Sequence, residues 1–326
     1  MSIWPILDGV EQLKRGAGAI LGIDGHKYAA LLQQELEILS SPTYSYGSTI
    51  RSMAVDDNFI YVGGGSGTFN SVHKIDRATG ASVGSSSPWE GFVYALKVDS
   101  DFVYAGIGAN VCKIRKNDMG TIASVPGGDS QFAFTIDDQY LYTTGVNTII
   151  KRRLSDLVSV GQSPSVGGSI MSMAVDDTYV YIGSNSFSTV KRYLKSNLSD
   201  AGDCQTNVPT YALLIDGDYV YGCGAGSKIF KLDRVTFTLV RNQTHPSVTL
   251  RCMDIEDDIM YLAGDGDVIY AVNKHTLHVE RTSPTYGGDI LALCVAYPYV
   301  LAGGVSAASV KWYLDGHKIR GYRRID

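Results

Sequence analysis

The stretch Ala54–Gly67, AVDDNFIYVGGGSG, joins a short apolar segment, two aspartates, an aromatic and apolar segment and a run of glycines. Two aspartates ahead of a glycine-rich loop are compatible with a metal or phosphate site. They are equally compatible with a tight turn between two β-strands. The choice depends on whether the stretch occurs once, as site motifs usually do, or recurs as part of a repeated unit.

The stretch recurs along the chain at a nearly constant interval. The apolar residue before the acidic turn returns after 43, 38, 39, 40, 40 and 40 residues. Six residues after it stands a tyrosine in six copies and Leu301 in the last. The seven apolar positions are Val55, Val98, Ile136, Val175, Ile215, Ile255 and Val295. A constant offset indicates a turn of fixed length, in which aspartate accepts local backbone hydrogen bonds.

Two further β-prone segments complete each unit, as in VHKIDRATG (Val72–Gly80) followed by ASVGSS (Ala81–Ser86). Each unit therefore contains four strands, here called A to D, in about 40 residues. Four-stranded units of this period are typical of a β-propeller, in which blades stack face to face in a closed ring. The sequence predicts an all-β, single-domain β-propeller of four-stranded blades.

The N-terminal segment decides the number of predicted blades. ILGIDGHKYAAL (Ile20–Leu31) aligns with YLAGDGDVIYAV (Tyr261–Val272), and the SPTY of Ser41–Tyr44 returns at Ser283–Tyr286. This alignment predicts eight repeats and favours strands over a helix in Tyr28–Leu39. The predicted units lie near 17–49, 50–91, 92–130, 131–169, 170–209, 210–248, 249–288 and 289–326, after an N-terminal extension or degenerate first strand at 1–16. The last unit is expected to carry its own D strand in 317–326. The alternative is seven blades plus an N-terminal extension packed outside the ring.

Composition argues against several classes of protein. The net charge of −5 is unlike that of a general nucleic-acid binder. The five cysteines are scattered without a C-x-x-C spacing, so we expect buried thiols, not a disulfide framework or a metal site. No apolar run approaches the roughly 18 residues of a membrane span. The first residues lack a signal-peptide pattern, which predicts a cytoplasmic location in the producing cell.

The unit around Ile75–Gly80, IDRATG, with its tyrosine-containing second strand, resembles the YVTN and PQQ-like class of bacterial and archaeal propeller repeats. The resemblance implies the propeller fold and specifies little about function. The G-H and W-D pairs of WD40 repeats are missing. The recurring tryptophan of quinone-binding members is also missing, since the chain has only Trp4, Trp89 and Trp312. No cofactor is therefore expected.

The acidic turns of a propeller emerge on one face, so some 13 aspartates and glutamates would surround one mouth of the channel. Basic residues near the C–D turns are expected to neutralise part of this charge. The lysines and arginines of the C strands themselves, such as Lys74 and Lys113, are expected to be solvated or to face an anionic partner.

Departures from the repeat supply the candidate binding residues. Arg51, Lys97, Arg251 and Asp254 are charges on otherwise apolar A strands, which border the channel where propellers commonly bind ligands. The alternative interpretation is a water-filled channel lining or a local ion pair such as Arg251–Asp254. Two aromatic residues are the other candidates: Phe69 in the lengthened loop Gly63–Ser71, which lacks a phosphate-loop pattern, and Trp89 in the unmatched SSSPWEG segment.

The six histidines share no repeat position, and no nucleophile or metalloprotease spacing is present, so no catalytic residue is assigned. The sequence therefore favours a non-enzymatic interaction or structural module with protein partners. One hypothesis within this reading is a phage virion component of the tail or adsorption apparatus that binds other proteins or surface glycans. The alternative is an enzyme of lyase, hydrolase or lactonase-like type with a site in the central channel.

Overall fold

The computed structural model describes residues 20–21, 27–30, 36–65, 69–128, 130–245, 248–305, 309–315 and 322–324. Within these ranges, antiparallel strands account for all regular structure except one short 3₁₀ turn at Ala225–Ser227. The prediction of an all-β protein is confirmed.

The strands follow the predicted repeat closely. Before the first complete unit come β1 (Ile20–Leu21), β2 (Lys27–Ala30) and β3 (Leu36–Ser45). The first unit holds β4 (Ile50–Val55), β5 (Phe59–Gly64), β6 (Phe69–Asn70), β7 (His73–Asp76), β8 (Ser82–Ser85) and β9 (Trp89–Glu90). The next two contain β10 (Val93–Val98), β11 (Phe102–Ile107), β12 (Asn110–Arg115), β13 (Thr121–Pro126), β14 (Phe134–Ile136), β15 (Tyr140–Gly145), β16 (Thr148–Arg153) and β17 (Ser159–Gln162).

The second half continues in the same order. Two units contain β18 (Ile170–Val175), β19 (Tyr179–Ser184), β20 (Thr189–Leu194), β21 (Asp200–Gln205), β22 (Thr210–Asp216), β23 (Tyr219–Gly224), β24 (Lys228–Asp233) and β25 (Leu239–Thr244). The last strands are β26 (Leu250–Glu256), β27 (Ile259–Gly264), β28 (Gly266–Asn273), β29 (Val279–Thr282), β30 (Ile290–Ala296), β31 (Tyr299–Gly304), β32 (Ser309–Asp315) and β33 (Tyr322–Arg324).

These strands form seven four-stranded blades arranged in a ring. Blade 1 has the order β4-β5-β7-β8, and blades 2 to 6 each use four consecutive strands from β10 to β29. The first strands of the blades contact one another in an unbroken circle, from β4 through β10, β14, β18, β22 and β26 to β30 and back to β4. The propeller prediction is confirmed, and the prediction of eight blades is wrong.

Blade 7 explains the error, because it is built from both ends of the chain. Its order is β3-β32-β31-β30, so the N-terminal strand β3 supplies the outermost strand. Leu36 pairs with Asp315 and Tyr44 with Val310. The first predicted unit therefore contributes the strand that the last unit lacks, and the two count as one blade. This pairing also covers the outer edge that β32 would otherwise expose.

The remaining terminal strands form a separate small sheet in the order β1-β2-β33. The D strand predicted for the last unit in 317–326 is thus not a blade strand, since the part of it that is described, β33, pairs with β2. Strands were correctly favoured over a helix for the described parts of Tyr28–Leu39. The extension at 1–16 lies outside the described residues.

The hydrophobic core consists of the interfaces between neighbouring blades. One cluster joins blade 7 to blade 1 through Ile50, Ile60, Leu301 and Trp312. The second strand of most blades is buried along nearly its whole length, as in β11 and β19. Stacked blades cover both faces of each inner strand, which accounts for the continuous apolar runs in the sequence. All five cysteines are free and buried, as predicted.

In blades 1 to 4 the acidic turn is capped by its first aspartate. In blade 1, Asp56 Oδ1 accepts hydrogen bonds from the backbone N–H groups of Asn58 (3.0 Å) and Phe59 (2.8 Å). Its Oδ2 accepts one from the hydroxyl of Tyr61 (3.0 Å). The same three bonds recur at Asp99, Asp137 and Asp176. The fixed six-residue offset between apolar residue and tyrosine is therefore the spacing that lets the hydroxyl reach the carboxylate.

Replacing Asp56 by alanine is expected to lower the free energy of unfolding by about 1–3 kcal/mol, because the amides of Asn58 and Phe59 and the hydroxyl of Tyr61 lose a charged acceptor. The neighbouring Asp57 is exposed, so Asp57→Ala is the matched control and should change stability by less than about 0.5 kcal/mol. Urea denaturation at pH 7 measures both. Equal losses in the two variants would contradict the capping role.

The same pair of variants carries a pH dependence. Burial opposes ionisation of Asp56, but hydrogen bonds from Lys116 and from the amides of Phe59 and Asn58 outweigh it and lower its pKa. A carboxyl group with a lowered pKa in the folded state adds stability above its unfolded pKa of about 3.9. That contribution is lost as the pH falls through the folded-state pKa. The stability gap between wild type and Asp56→Ala should be full at pH 7 and shrink below about pH 4.

Candidate functional site

The two faces of the ring differ in what their side chains do. The A–B and C–D turns emerge on one face, here called the acidic face, which contains Asp56, Asp99, Asp137, Asp176 and Asp216. The B–C loops and the connections between blades emerge on the other, here called the loop face. A channel bordered by the seven first strands runs between them.

The charges of the acidic face are paired between blades. Lys116 Nζ of blade 2 lies 2.8 Å from Asp56 Oδ2 of blade 1. Equivalent cations from the following blade pair with aspartates of the acidic face at three more interfaces: Lys195 with Asp137 (2.9 Å), Arg234 with Asp176 (3.2 Å) and Lys274 with Asp216 (2.7 Å). The expected neutralisation is confirmed at these positions, so the acidic residues serve the blade interfaces.

A second set of donors links the C strand of one blade to the backbone of the next. The side chains donate to the carbonyl of the residue that follows the next C strand: Lys74 to Lys116 (2.7 Å), Lys113 to Leu154 (2.7 Å), Lys151 to Lys195 (2.8 Å), Arg192 to Arg234 (3.3 Å) and Trp312 to Arg77 (3.3 Å). Lys74, Lys113 and Lys231 are buried, so the expectation of solvated C-strand lysines is wrong for them. Their ammonium groups lie against aromatic rings, as Lys74 does 3.8 Å from the centre of Phe59.

A cleft of about 710 Å³ lies on the acidic face between blades 1 and 2. Its lining includes Asp56, Tyr61, Lys74 and Lys116. These four groups already make the turn and interface bonds described above.

The loop face carries a ring of side chains whose direction is changed by β-bulges. Six first strands have a β-bulge at their second residue, seen as a register shift such as that between Ile50 and Ser52. The bulged residues, with Phe132 at the matching position just before β14, form what is here called the bulge ring: Arg51, Tyr94, Phe132, Met171, Tyr211, Arg251 and Leu291. All seven are partly exposed. Bulges commonly redirect a side chain at the rim of a β-structure or beside a site.

Aromatic side chains concentrate on the part of the bulge ring formed by blades 1 to 3. The guanidinium of Arg51 lies 4.9 Å from the ring centre of Phe92 and 5.7 Å from that of Tyr94. The rings of Tyr94 and Phe132 are 4.8 Å apart between centres. This series of four neighbours, Arg51, Phe92, Tyr94 and Phe132, is called the aromatic arc below. All four side chains are partly exposed.

The two arginines of the bulge ring differ in their partners. Arg251 makes a two-pronged ion pair with Asp265 of its own B–C loop, through Nε to Oδ1 and through Nη2 to Oδ2 at 2.8 Å. This pairing raises the pKa of Arg251. The local ion pair Arg251–Asp254 suggested by the sequence is therefore wrong. Arg51 forms no hydrogen bond or ion pair with any residue that the structure describes, and its Nε is shielded from solvent.

Asp254 and Lys97 lie nearer the acidic end of the channel. Asp254 Oδ2 accepts a hydrogen bond from the backbone N–H of Val295 at 2.7 Å, and its Oδ1 accepts one from Ile255 at 2.9 Å. Burial raises the pKa of Asp254, and the positive charge of Lys97 opposes this effect. Lys97 is exposed and belongs to blade 2, so it acts on Asp254 of blade 6 across the channel. The four predicted charges thus fall into two separate groups.

The lengthened B–C loop and the unmatched Trp89 segment meet each other. Strands β6 and β9 form a two-stranded ribbon in which Phe69 pairs with Glu90 and Asn70 with Trp89. Asn70 Nδ2 also donates to the carbonyl of Gly91 at 3.0 Å. Trp89 is partly buried against the core of blades 1 and 2, so it is not an open platform. The side chain of Phe69 lies outside the described part of the chain.

No group of three or more histidine, cysteine, aspartate or glutamate residues in the described ranges could hold a metal ion. None of the helical segments described there is long and apolar enough to cross a membrane.

Neither a protein family model nor a curated protein matches the chain. Solved structures match its fold: the WD40 β-propeller domain of Doa1 has a TM-score of 0.72 at 13% identity, over 84% of this chain and 95% of that one. The computationally designed Ika8 protein has a TM-score of 0.66 at 15% identity, over 86% of this chain and 100% of that one. At such identities the likeness shows the propeller fold alone. The resemblance to YVTN and PQQ-like repeats stays a prediction.

Proposed function

We propose that this protein is a non-enzymatic binding module that holds a partner protein on its loop face, at the aromatic arc. The observation that carries the proposal is the cluster of Arg51, Phe92, Tyr94 and Phe132 at the mouth of the channel. These side chains are partly exposed and lie against one another across blades 1 to 3. Arginine and tyrosine are enriched among the residues that dominate binding energy at protein interfaces.

Two features of blade 1 support the choice of this part of the ring. The β6–β9 ribbon is an addition to the repeat, and its second strand ends two residues before Phe92. Insertions in one copy of a repeat often lie on the binding face. By contrast, four aspartates of the acidic face, Asp56, Asp137, Asp176 and Asp216, are already bound to cations of the next blade. The asymmetry points to the loop face.

The finer hypotheses of the sequence stand apart from this proposal. A place in a phage virion and binding of surface glycans stay predictions, and so does the alternative of an enzyme with a site in the channel. The part-buried position of Trp89 removes one reason for expecting glycans, because stacking on a sugar requires an exposed ring face.

Affinity capture from the native source tests the proposal. The tagged wild-type protein should retain a specific partner. The double variant Tyr94→Ala/Phe132→Ala should capture at least about tenfold less of that partner, since a hot-spot residue contributes 2 kcal/mol or more to binding. The matched control is Val235→Ala, which removes apolar surface that is 83% exposed on a C–D turn of the acidic face. Circular dichroism verifies that all three proteins are folded.

Capture at the wild-type level by the double variant would contradict the assignment of the loop face. The absence of any specific partner for the wild type would contradict the binding function itself.

A further inference from the structure

Arg51 is a charged residue of the loop face that lacks a hydrogen-bond or ion-pair partner among the described residues. Its Nε–H group is shielded from solvent and donates to no acceptor among the described residues, and no carboxylate there neutralises the guanidinium. Stacking against Phe92 and Tyr94 offsets part of the cost of this burial. A buried donor without an acceptor costs free energy, so its presence in a folded protein calls for a reason.

Blade 6 provides an internal comparison for the same position. Arg251 occupies the equivalent bulge, and Asp265 in the following loop holds its guanidinium. The residue of blade 1 that matches Asp265 is Gly65. Their backbone N–H groups make the same hydrogen bond, from Gly65 to Thr49 (2.8 Å) and from Asp265 to Thr249 (2.9 Å). This loop position therefore can supply a carboxylate to the arginine of the bulge, as Asp265 does in blade 6, and blade 1 has Gly65 there instead.

The local backbone keeps a carboxylate out of that place. Gly65 has a φ of +136°, a conformation that L side chains rarely adopt. A Cβ atom on Gly65 would also collide with the side-chain amide of Asn70 in the β6–β9 ribbon. The same insertion that distinguishes blade 1 thus prevents a carboxylate at position 65 from neutralising Arg51.

We infer that Arg51 receives an oxyanion of the bound partner, a carboxylate or a phosphate, in place of the internal carboxylate that Asp265 supplies in blade 6. This inference rests on the proposed function and adds the chemistry of the ligand. A guanidinium presents parallel N–H donors that match either group, and stacking on Phe92 and Tyr94 leaves the outer edge of the fork available. The partial exposure of Arg51 provides the route of access.

The test uses the full chain labelled with ¹⁵N-arginine and follows the Nε–H resonances by NMR. The shielded Nε of Arg51 should exchange slowly and give an observable signal, which the spectrum of Arg51→Lys identifies by its disappearance. Sodium acetate, sodium phosphate and sodium chloride are titrated at constant ionic strength. Acetate or phosphate should shift the Arg51 signal in a saturable way, and chloride should not.

Comparison of the two anions distinguishes the source of the oxyanion. Tighter binding of acetate assigns an acidic side chain or chain terminus of the partner, and tighter binding of phosphate assigns a phosphorylated group. Arg51→Gln, prepared with uniform ¹⁵N labelling and followed with equally labelled wild type through the backbone amides of Phe92 and Tyr94, should weaken binding of the preferred anion by at least about tenfold. Arg115→Lys, an exposed arginine of the acidic face paired with Asp118, should leave it unchanged.

An Arg51 signal that does not move with acetate or phosphate, or moves equally with chloride, would overturn the inference. This outcome is distinct from failure of the proposed function. Partner capture that depends on Tyr94 and Phe132 but not on Arg51 would support the proposed function and contradict the oxyanion site. Anion binding at Arg51 without any captured partner would contradict the proposed binding function.

Discussion

Trp312→Ala is expected to lower the free energy of unfolding by about 3–5 kcal/mol, the usual cost of truncating a buried tryptophan. Trp312 is fully buried in the cluster between blades 7 and 1, where it packs with Ile50, Ile60 and Leu301. Its Nε1 donates to the carbonyl of Arg77 at 3.3 Å, in the place that lysines occupy at other interfaces. The substitution therefore opens a cavity at the closing interface of the ring. Urea denaturation followed by tyrosine fluorescence or circular dichroism measures the loss.

The matched variant for this experiment is Trp312→Phe. It keeps an aromatic ring in the cavity and removes the Nε1 donor, so its cost should be smaller than that of alanine. A loss below about 1 kcal/mol for Trp312→Ala would contradict the close packing of blades 7 and 1, since truncating a tryptophan in a well-packed core lowers the free energy of unfolding by more than that.

Removal of residues 1–47 is expected to have the largest effect of all, because it deletes β3 and leaves blade 7 with three strands. The unpaired edge of β32 is then open to other chains, and exposed strand edges promote aggregation. Leu36 also leaves the core shared by blades 6 and 7. We expect loss of the cooperative unfolding transition and the appearance of oligomers by size-exclusion chromatography with light scattering.

The control deletion removes residues 1–35. Both truncated proteins lack β1 and β2, and they differ in the presence of β3. The protein that keeps β3 should remain monomeric and unfold cooperatively. A synthetic peptide of residues 36–48, added to the longer deletion, should restore the monomer. A longer deletion that stays monomeric and cooperative on its own would contradict the role of β3 in closing the ring.

Much of the fold was predictable because the repeat records local chemistry. In blades 1 to 4 the aspartate at the start of the A–B turn and the tyrosine five residues later are bonded to each other, so their spacing cannot vary without breaking that bond. Blade number was not predictable in the same way. It depends on which strand pairs with β32, and a partial unit at each end of the chain fits one shared blade as well as two separate ones.

The site was predictable in its residue types and not in its contacts. Arg51 and Arg251 stand out in the sequence as charges on apolar strands. Their difference arises from Gly65 and Asp265, which lie 14 residues away in loops. Arg251 and Asp254 are close in sequence, yet three residues of extended strand separate Cα atoms by about 10 Å, so proximity along the chain does not bring these two charges together. Comparing loop residues copy by copy would have revealed the missing carboxylate.

The bulges and the hydrogen bonds between blades were less predictable from the sequence than the strands. A bulge depends on the register of two strands, which the residue pattern of one strand does not specify. The lysines of the C strands recur in several units, and their recurrence was a signal that they share a structural role. Phe92, which lies just before the aligned strand of its unit, was missed because only strand positions were compared.

The pairing of β3 with β32 also has a consequence in time. More than 260 residues separate these two strands along the chain. At a synthesis rate of about 5–20 residues per second, β3 leaves the ribosome roughly 13–55 s before its partner exists. During that interval the strand is available to neighbouring nascent chains or to chaperones. Ring closure is thus a late event of biosynthesis, and variants in β3 should reduce the yield of soluble protein more than their effect on equilibrium stability implies.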